Sequence, residues 1–164
     1  MDQELIIRQL NQQDKTDFIN LVNEYIQEYI VTEKVFPVKF DPSIGQIYWE
    51  SITDKPQDHR VVVAESKGRL CGFCIGEIHH YGKIEKVYFQ GNQRGEIWDI
   101  FVSPQNRGLG IGENLIKKAE ELFIESGCKD ILLNEVGVDN LGAKKLYERI
   151  GYQPWNMRFY KKLG

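Results

Sequence analysis

Residues 103 to 114 read S-P-Q-N-R-G-L-G-I-G-E-N, with three glycines alternating with Leu109 and Ile111 directly after Arg107. Gly108, Gly110 and Gly112 stand where a helix begins. Glycine inside a helix costs about 0.5–1 kcal/mol relative to alanine, so a purely structural helix start has little use for three. The first amides of a helix lack internal partners, and the macrodipole is positive there. Bare backbone at that point is therefore suited to holding an anion. Arg107 adds a fixed charge and a planar fork of donors. The combination reads as a phosphate or pyrophosphate cradle. A turn that only lets a helix approach a sheet closely would use the same glycines.

Two phosphate motifs fit poorly. A nucleotide-triphosphate loop ends in Gly-Lys-Ser/Thr, which the chain does not contain. A dinucleotide site has G-x-G-x-x-G early in a doubly wound fold, with an acidic residue after the next strand. Here the pattern is G-x-G-x-G and lies late. A dinucleotide-dependent oxidoreductase is thus a weaker rival.

The elements around the turn follow from periodicity. Glu4 to Leu10 reads as a short strand. Phe18, Leu21, Val22, Tyr25, Ile26, Tyr29 and Ile30 form the stripe of an amphipathic helix, with Asp14 or Thr16 near its start. Pro37 and Pro42 mark a loop, and a second helix is expected from Ser43 to about Thr53. Val61–Ala64 and Leu70 to about His80 read as a hairpin around Ser66-Lys67-Gly68-Arg69. Val87-Tyr88-Phe89 can extend a strand, and Glu96 to Val102 is a strong one. The glycine turn leads into a helix carrying Ile111, Leu115, Ile116, Ala119, Leu122 and Phe123, stopped at Ser126-Gly127. Ile131 to Val138 is the next strand. Asp139 or Asn140 caps a helix with Leu141, Leu146, Tyr147 and Ile150, and Tyr152–Trp155 and Arg158–Leu163 read as two last strands. Hairpins plus one strand–helix–strand unit give a mixed α/β sheet in one domain, residues 1 to 164.

Composition narrows the class. The chain has 164 residues, net charge −3 and a hydrophobic fraction of 41%, so the basic footprint of nucleic-acid binding is missing. No apolar run approaches the roughly 20 residues of a membrane span. The acidic, polar start is unlike a secretory n-region, so a cytoplasmic location is expected. Cys71 and Cys74 form a C-x-x-C inside an alternating strand, where residues three apart face opposite sides. With Cys128 they read as structural thiols. His79 and His80 come without a carboxylate or cysteine pattern, and no metal site is expected.

Asp-Ile-Phe-Val-Ser-Pro, then Arg-Gly-Leu-Gly-Ile-Gly, then Asn140 through Tyr147 to Gly151-Tyr152 resembles the GNAT (GCN5-related N-acetyltransferase) superfamily. Its Q/R-x-x-G-x-G/A turn is matched by Arg107, Gly110 and Gly112; Gln105, Gly108 and Gly110 give a second register. The resemblance covers roughly residues 60 to 160. It implies an α/β GNAT fold: a mixed, mostly antiparallel sheet of six to seven strands with about four helices, splayed between the fourth and fifth strands. It implies acetyl-CoA as cosubstrate, held by Ile100, Phe101, Val102, Arg107, Gly108, Leu109, Gly110, Ile111, Gly112 and Asn140. The Ile100 N–H would polarise the acetyl carbonyl as an oxyanion-hole donor, and Val102 would bond the pantetheine. Tyr147 would serve the departing thiolate as acid, though it also fits the apolar stripe of its helix, and Asn140 also fits an N-cap.

Asp99 is the first candidate for the base that deprotonates the acceptor. Glu96 is the second, and a water can relay to either. Strand parity separates the two carboxylates, and a bulge can reverse that. The implied reaction is direct transfer to a primary amine of a small molecule such as a polyamine or aminoglycoside. Tyr25, Tyr29, Phe36, Trp49, Tyr81 and Trp155 are candidates to line the acceptor side. The alternatives are a protein lysine or N-terminal acetyltransferase and a non-catalytic acyl-CoA sensor. The two C-terminal strands are exposed enough to pair in a homodimer.

Overall fold

The apolar stripe of the first helix buries Phe18, Leu21, Val22 and Ile26, and the length and alternation of the central strands bury both faces of a sheet between helices. The computed structural model describes residues 5–35, 37–134, 136–137 and 140–163. Its elements are β1 (Ile6–Gln9), α1 (Lys15–Thr32), α2 (Ile44–Asp54), β2 (His59–Ser66), β3 (Arg69–His80), α3 (Glu85–Tyr88), β4 (Gln93–Val102), α4 (Ile111–Glu125), β5 (Ile131–Leu133) and α5 (Leu141–Arg149). The strands lie in the order β1-β2-β3-β4-β5, antiparallel except for the parallel β4–β5 pair. This is the mixed, mostly antiparallel α/β arrangement that the resemblance implies. Among the described residues no helix is long and apolar enough to cross a membrane.

Two core layers sandwich the sheet. On one face Val62, Ala64, Cys74, Ile78 and Ile97 pack against Ile111, Leu115, Ile116, Ala119, Leu122 and Phe123 of α4. On the other, Val61, Val63, Phe73, Ile75 and Phe101 pack against Phe18, Leu21, Val22 and Ile26 of α1 and Trp49 and Ile52 of α2. The Phe123 ring lies flat on a platform of glycines. A Cβ built on Gly95 would stand 2.7 Å from Phe123 Cγ, and one on Gly76 would stand 2.5 Å from Cζ. Those glycines set how closely α4 approaches β3 and β4.

Several expectations are corrected. The sheet has five described strands, not six to seven, and five α-helices, one of a single turn. Val87-Tyr88-Phe89 is no strand: Val87 and Tyr88 end α3, whose Phe89 N–H bonds the Glu85 carbonyl. Tyr152–Trp155 and Arg158–Leu163 form no strand, although Trp155, Met157, Phe159 and Leu163 alternate with polar residues and stand exposed. Alternation reports local propensity, whereas a strand needs a ladder partner. β5 is three residues rather than eight; Val138, at the far end of the expected strand, and Asp139, proposed as a cap, lie outside the described residues, as do Glu4 and Phe36. At Cys71 the β2–β3 register passes from Ala64↔Gly72 to Glu65↔Leu70. That extra residue brings Cys71 into the same core layer as Cys74, against the expected opposite faces.

Gly95→Ala is expected to lower stability by about 1–3 kcal/mol, because the ring or the helix must move to admit the methyl group. Urea unfolding of the variant beside the wild type reads this directly. An unchanged midpoint would mean that Phe123 does not need the glycine floor.

Candidate active site

The sequence E-I-W-D-I-F-V holds one residue too many for simple alternation. The β3–β4 register passes from Ile75↔Asp99 to Gly76↔Ile97, leaving Trp98 as a bulge. Without it, Asp99 would fall on the same face as Ile97, under α4. With it, Ile100 and Val102 pack toward the α4 layer while Asp99 and Phe101 turn toward α1 and α2. Among the described residues β5 pairs with Gly95, Glu96 and Ile97 of β4, and a further bond runs from the Asn134 N–H to the Ile97 carbonyl. The bulge stands directly after that pairing ends.

The face toward α1 and α2 carries the candidate bases. Asp99 accepts hydrogen bonds from the hydroxyls of Tyr25 on α1 (2.5 Å) and Tyr48 on α2 (3.2 Å). Burial and then the adjacent Asp99 charge push the Tyr25 phenol far up, so it remains a donor. Glu96, buried at 6% exposure, shares this face because the bulge cancels the parity that would separate it from Asp99. Its Oε1 accepts from Arg94 Nε (2.8 Å) and Nη2 (2.6 Å), and its Oε2 accepts from Asn134 Nδ2 (3.0 Å). Glu77 is the cross-strand partner of Glu96. Three carboxylates thus line one stretch of sheet. Arg94 lies over the rings of Tyr81 and Phe89, at 5.4 and 5.9 Å from their centroids.

The glycine turn is a backbone device. Gly108 and Gly110 have φ of 79° and 75°, and a Cβ on either would meet nothing within 4 Å. Gly110 is the left-handed N-cap of α4, and the first helical bond runs from the Asn114 N–H to the Gly110 carbonyl. The amides of Ile111, Gly112 and Glu113 precede that bond at the positive end of the helix, with open space outside Gly108 and Gly110. Of the three glycines only Gly112 lies within the helix, where an added Cβ would be in ordinary contact with Leu146. Leu109 is exposed and Ile111 is core. Arg107 does not reach over the turn. Its Nε donates to the Val102 carbonyl (2.8 Å), its Nη2 pairs with Glu28 of α1 (2.7 Å), and its guanidinium lies over Phe101. The cradle's positive character is therefore that of backbone amides.

On the α4 side of the gap, α5 brings Tyr147 against the core layer that includes Cys74 and Ile100, which are register partners. Burial, with a smaller contribution from Cys74, pushes the Tyr147 phenol up to about 12. Among the described residues its hydroxyl makes no hydrogen bond. Asn140 caps α5, its side chain accepting from the Ala143 N–H (3.1 Å). Of the residues named for the acceptor side, Tyr25 holds Asp99 and Tyr29 packs on Tyr25. Trp49 and Tyr81 are buried, and Trp155 is exposed in the C-terminal segment. Tyr48, Arg94 and Asn134 were not anticipated. The apolar doublet Ile97-Trp98 was the readable sign of the bulge; nothing local in sequence pairs Tyr48 with Asp99, 51 residues away.

The sequence model of the acetyltransferase (GNAT) family matches residues 19–152, and the chain belongs to that family. It is 32% identical over 147 residues, 90% of its length, to an uncharacterized N-acetyltransferase of Methanocaldococcus jannaschii, and spans 60% of that protein. It is 29% identical over 111 residues, 68% of its length, to a candidate ribosomal-protein-bS18 alanine N-acetyltransferase of Bacillus subtilis, and spans 64% of it. Its fold superposes on aminoglycoside N-acetyltransferase AAC(6')-Iy, solved in complex with CoA, with TM-score 0.77 over 99% of this chain and 97% of that one, at 18% identity.

Gly110→Ala is expected to destabilise the protein by about 1–2 kcal/mol through backbone strain alone, since the added methyl group meets nothing. Gly110→Asn is expected to cost less, because asparagine tolerates the left-handed region. Equal losses for the two variants in thermal unfolding would show that something other than φ decides at this position.

Proposed function

We propose that this protein transfers the acetyl group of acetyl-CoA directly to a primary amine on a cationic small molecule. The observation that carries the reading is one juxtaposition. A helix start with unpaired first amides follows the strand whose pairing with β5 ends at Ile97 and whose face, with β3, holds Glu77, Glu96 and Asp99. The bound cosubstrate supplies a thioester as acetyl donor. The amides from Gly108 to Gly112 would hold its pyrophosphate, with open space and no side chain in the way. The Ile100 N–H is the oxyanion-hole donor, delivered to the gap by the bulge.

The proton work falls to side chains on the two faces. Asp99, oriented by two tyrosine hydroxyls, would receive the acceptor ammonium. Asp99 or Glu96, directly or through a water, takes the proton that the amine must lose before attack. Tyr147 gives a proton to the departing sulfur. With its phenol pushed up to about 12, it retains that proton well past about pH 10, where an ordinary tyrosine begins to lose it. The cysteines favour direct transfer over an acetyl-enzyme: Cys71, Cys74 and Cys128 are all buried, and burial raises their thiols away from the nucleophilic form. A second reading, acetylation of a protein N-terminal amine, is favoured by the similarity to the Bacillus subtilis relative.

Thiol release from acetyl-CoA with spermidine, neamine and an alanine-starting peptide as acceptors tests the reading. The carboxylate face predicts turnover of the polycations. Turnover of the peptide alone would move the assignment to the second reading, and release with none would leave a binding module. Asp99→Asn is expected to raise KM for a cationic acceptor roughly 10-fold or more, the loss of one charge-assisted bond. Tyr147→Phe is expected to lower kcat while the Kd for CoA, read by calorimetry, stays the same.

A further inference from the structure

Glu96 is buried, yet it belongs to a chain of polar groups that reaches the surface. His79 is the cross-strand partner of Arg94 and shares its face of the sheet. Its Nε2 lies 2.8 Å from Glu85 Oε1 and 3.0 Å from Oε2. Its Nδ1 lies 3.9 Å from Glu96 Oε1. Side-chain exposure runs from 7% at Glu96 to 36% at His79 and 30% at Glu85. Arg94 bridges the same two carboxylates from the other side, with Nη1 3.2 Å from Glu85. Glu85 opens α3 and also accepts the Gly82 N–H at 3.0 Å.

The Gly82 amide, then His79, hold the Glu85 carboxyl below its usual range, so Glu85 is an acceptor and Nε2 donates to it. Nδ1 faces Glu96 at 3.9 Å, beyond hydrogen-bond distance. A proton arriving on Glu96 would meet a ring nitrogen that accepts it when unprotonated.

We propose that His79 is the proton exit of the acetyl-transfer site, relaying from Glu96 to Glu85 and the solvent. The proposal rests on the acetyltransferase reading above. The balance is as follows. The acceptor ammonium gives a proton, directly or through a water, to the Glu96 carboxylate and becomes the neutral amine. Glu96 gives that proton to Nδ1 of neutral His79. The imidazolium releases its Nε2 proton to Glu85, which sheds it to water. The ring, left with its proton on Nδ1, then takes a proton on Nε2 from solvent and releases the Nδ1 proton to a water, so one proton leaves the site per turnover. A proton kept on Glu96 would disrupt the two bonds from Arg94 to Oε1, so it is passed on. The charged groups around the ring are Glu85 from α3, Arg94 and Glu96 from β4, and Glu77 two residues away on β3.

Two measurements test this. Long-range ¹⁵N–¹H correlation spectra of the full chain read the tautomer without any acceptor. A neutral ring protonated on Nε2 is expected; a proton on Nδ1, or an imidazolium at neutral and alkaline pH, overturns the relay. In the thiol-release assay with spermidine, neamine and the alanine-starting peptide, His79→Gln keeps a donor toward Glu85 but cannot pass a proton. It is expected to lower kcat about 10-fold or more, with KM for acetyl-CoA unchanged. His79→Ala is expected to fall as far and to be partly restored by free imidazole. Wild-type kcat in the glutamine variant, or no restoration in a folded alanine variant, overturns the relay alone. A wild type that turns over none of the three amines removes the acetyltransferase reading, and the relay with it.

Discussion

One inserted residue governs the arrangement. Trp98 shifts the register of β4 against β3, and everything after it points to the other side from where alternation would send it. The shift gathers Asp99 with Glu96 on the face toward α1 and α2. It also sends Ile100 and Val102 to the α4 face, where Tyr147 approaches. The same stretch is where β5 leaves the sheet. A bulge usually weakens a ladder. Here long antiparallel pairing between β3 and β4 on both sides of Trp98 holds it in place.

The charge distribution follows from that geometry. Glu77, Glu96 and Asp99 lie close together on a half-buried face, and each needs compensation. Arg94 and Asn134 supply it for Glu96, while Tyr25 and Tyr48 supply it for Asp99. The tyrosines come from two helices that pack on each other, so the orientation of Asp99 depends on the α1–α2 interface as much as on β4. Gly45 sits at that interface, where an added Cβ would lie 2.5 Å from the Ile19 carbonyl.

The parts that were legible in sequence are those set by local chemistry. The α1 stripe, the β2–β3 hairpin, the strand from Glu96 and the turn into α4 all stand close to where periodicity and glycines placed them. The turn into α4 and the positions of Asp99 on β4 and Tyr147 on α5 were legible, whereas their roles belong to the proposed function. What was not legible depends on pairing at long range. Residues 152 to 163 have the composition of strands without a partner, and residues 87 to 89 are β-favouring types of which the first two end a single helical turn. Nothing local in sequence pairs Arg107 with Glu28, which lies 79 residues earlier in the chain. The carboxylates near His79 were not legible either, because they lie six residues on and across the sheet.

The unequal lengths of β4 and β5 have a consequence for main-chain pairing. Among the described residues β5 pairs with β4 at Gly95, Glu96 and Ile97, while β4 runs on to Val102. A strand edge without a ladder partner offers its N–H and C=O groups to an extended chain lying alongside. An extended body there would be read by backbone groups, and replacing individual side chains along the edge would change that reading only at the margins.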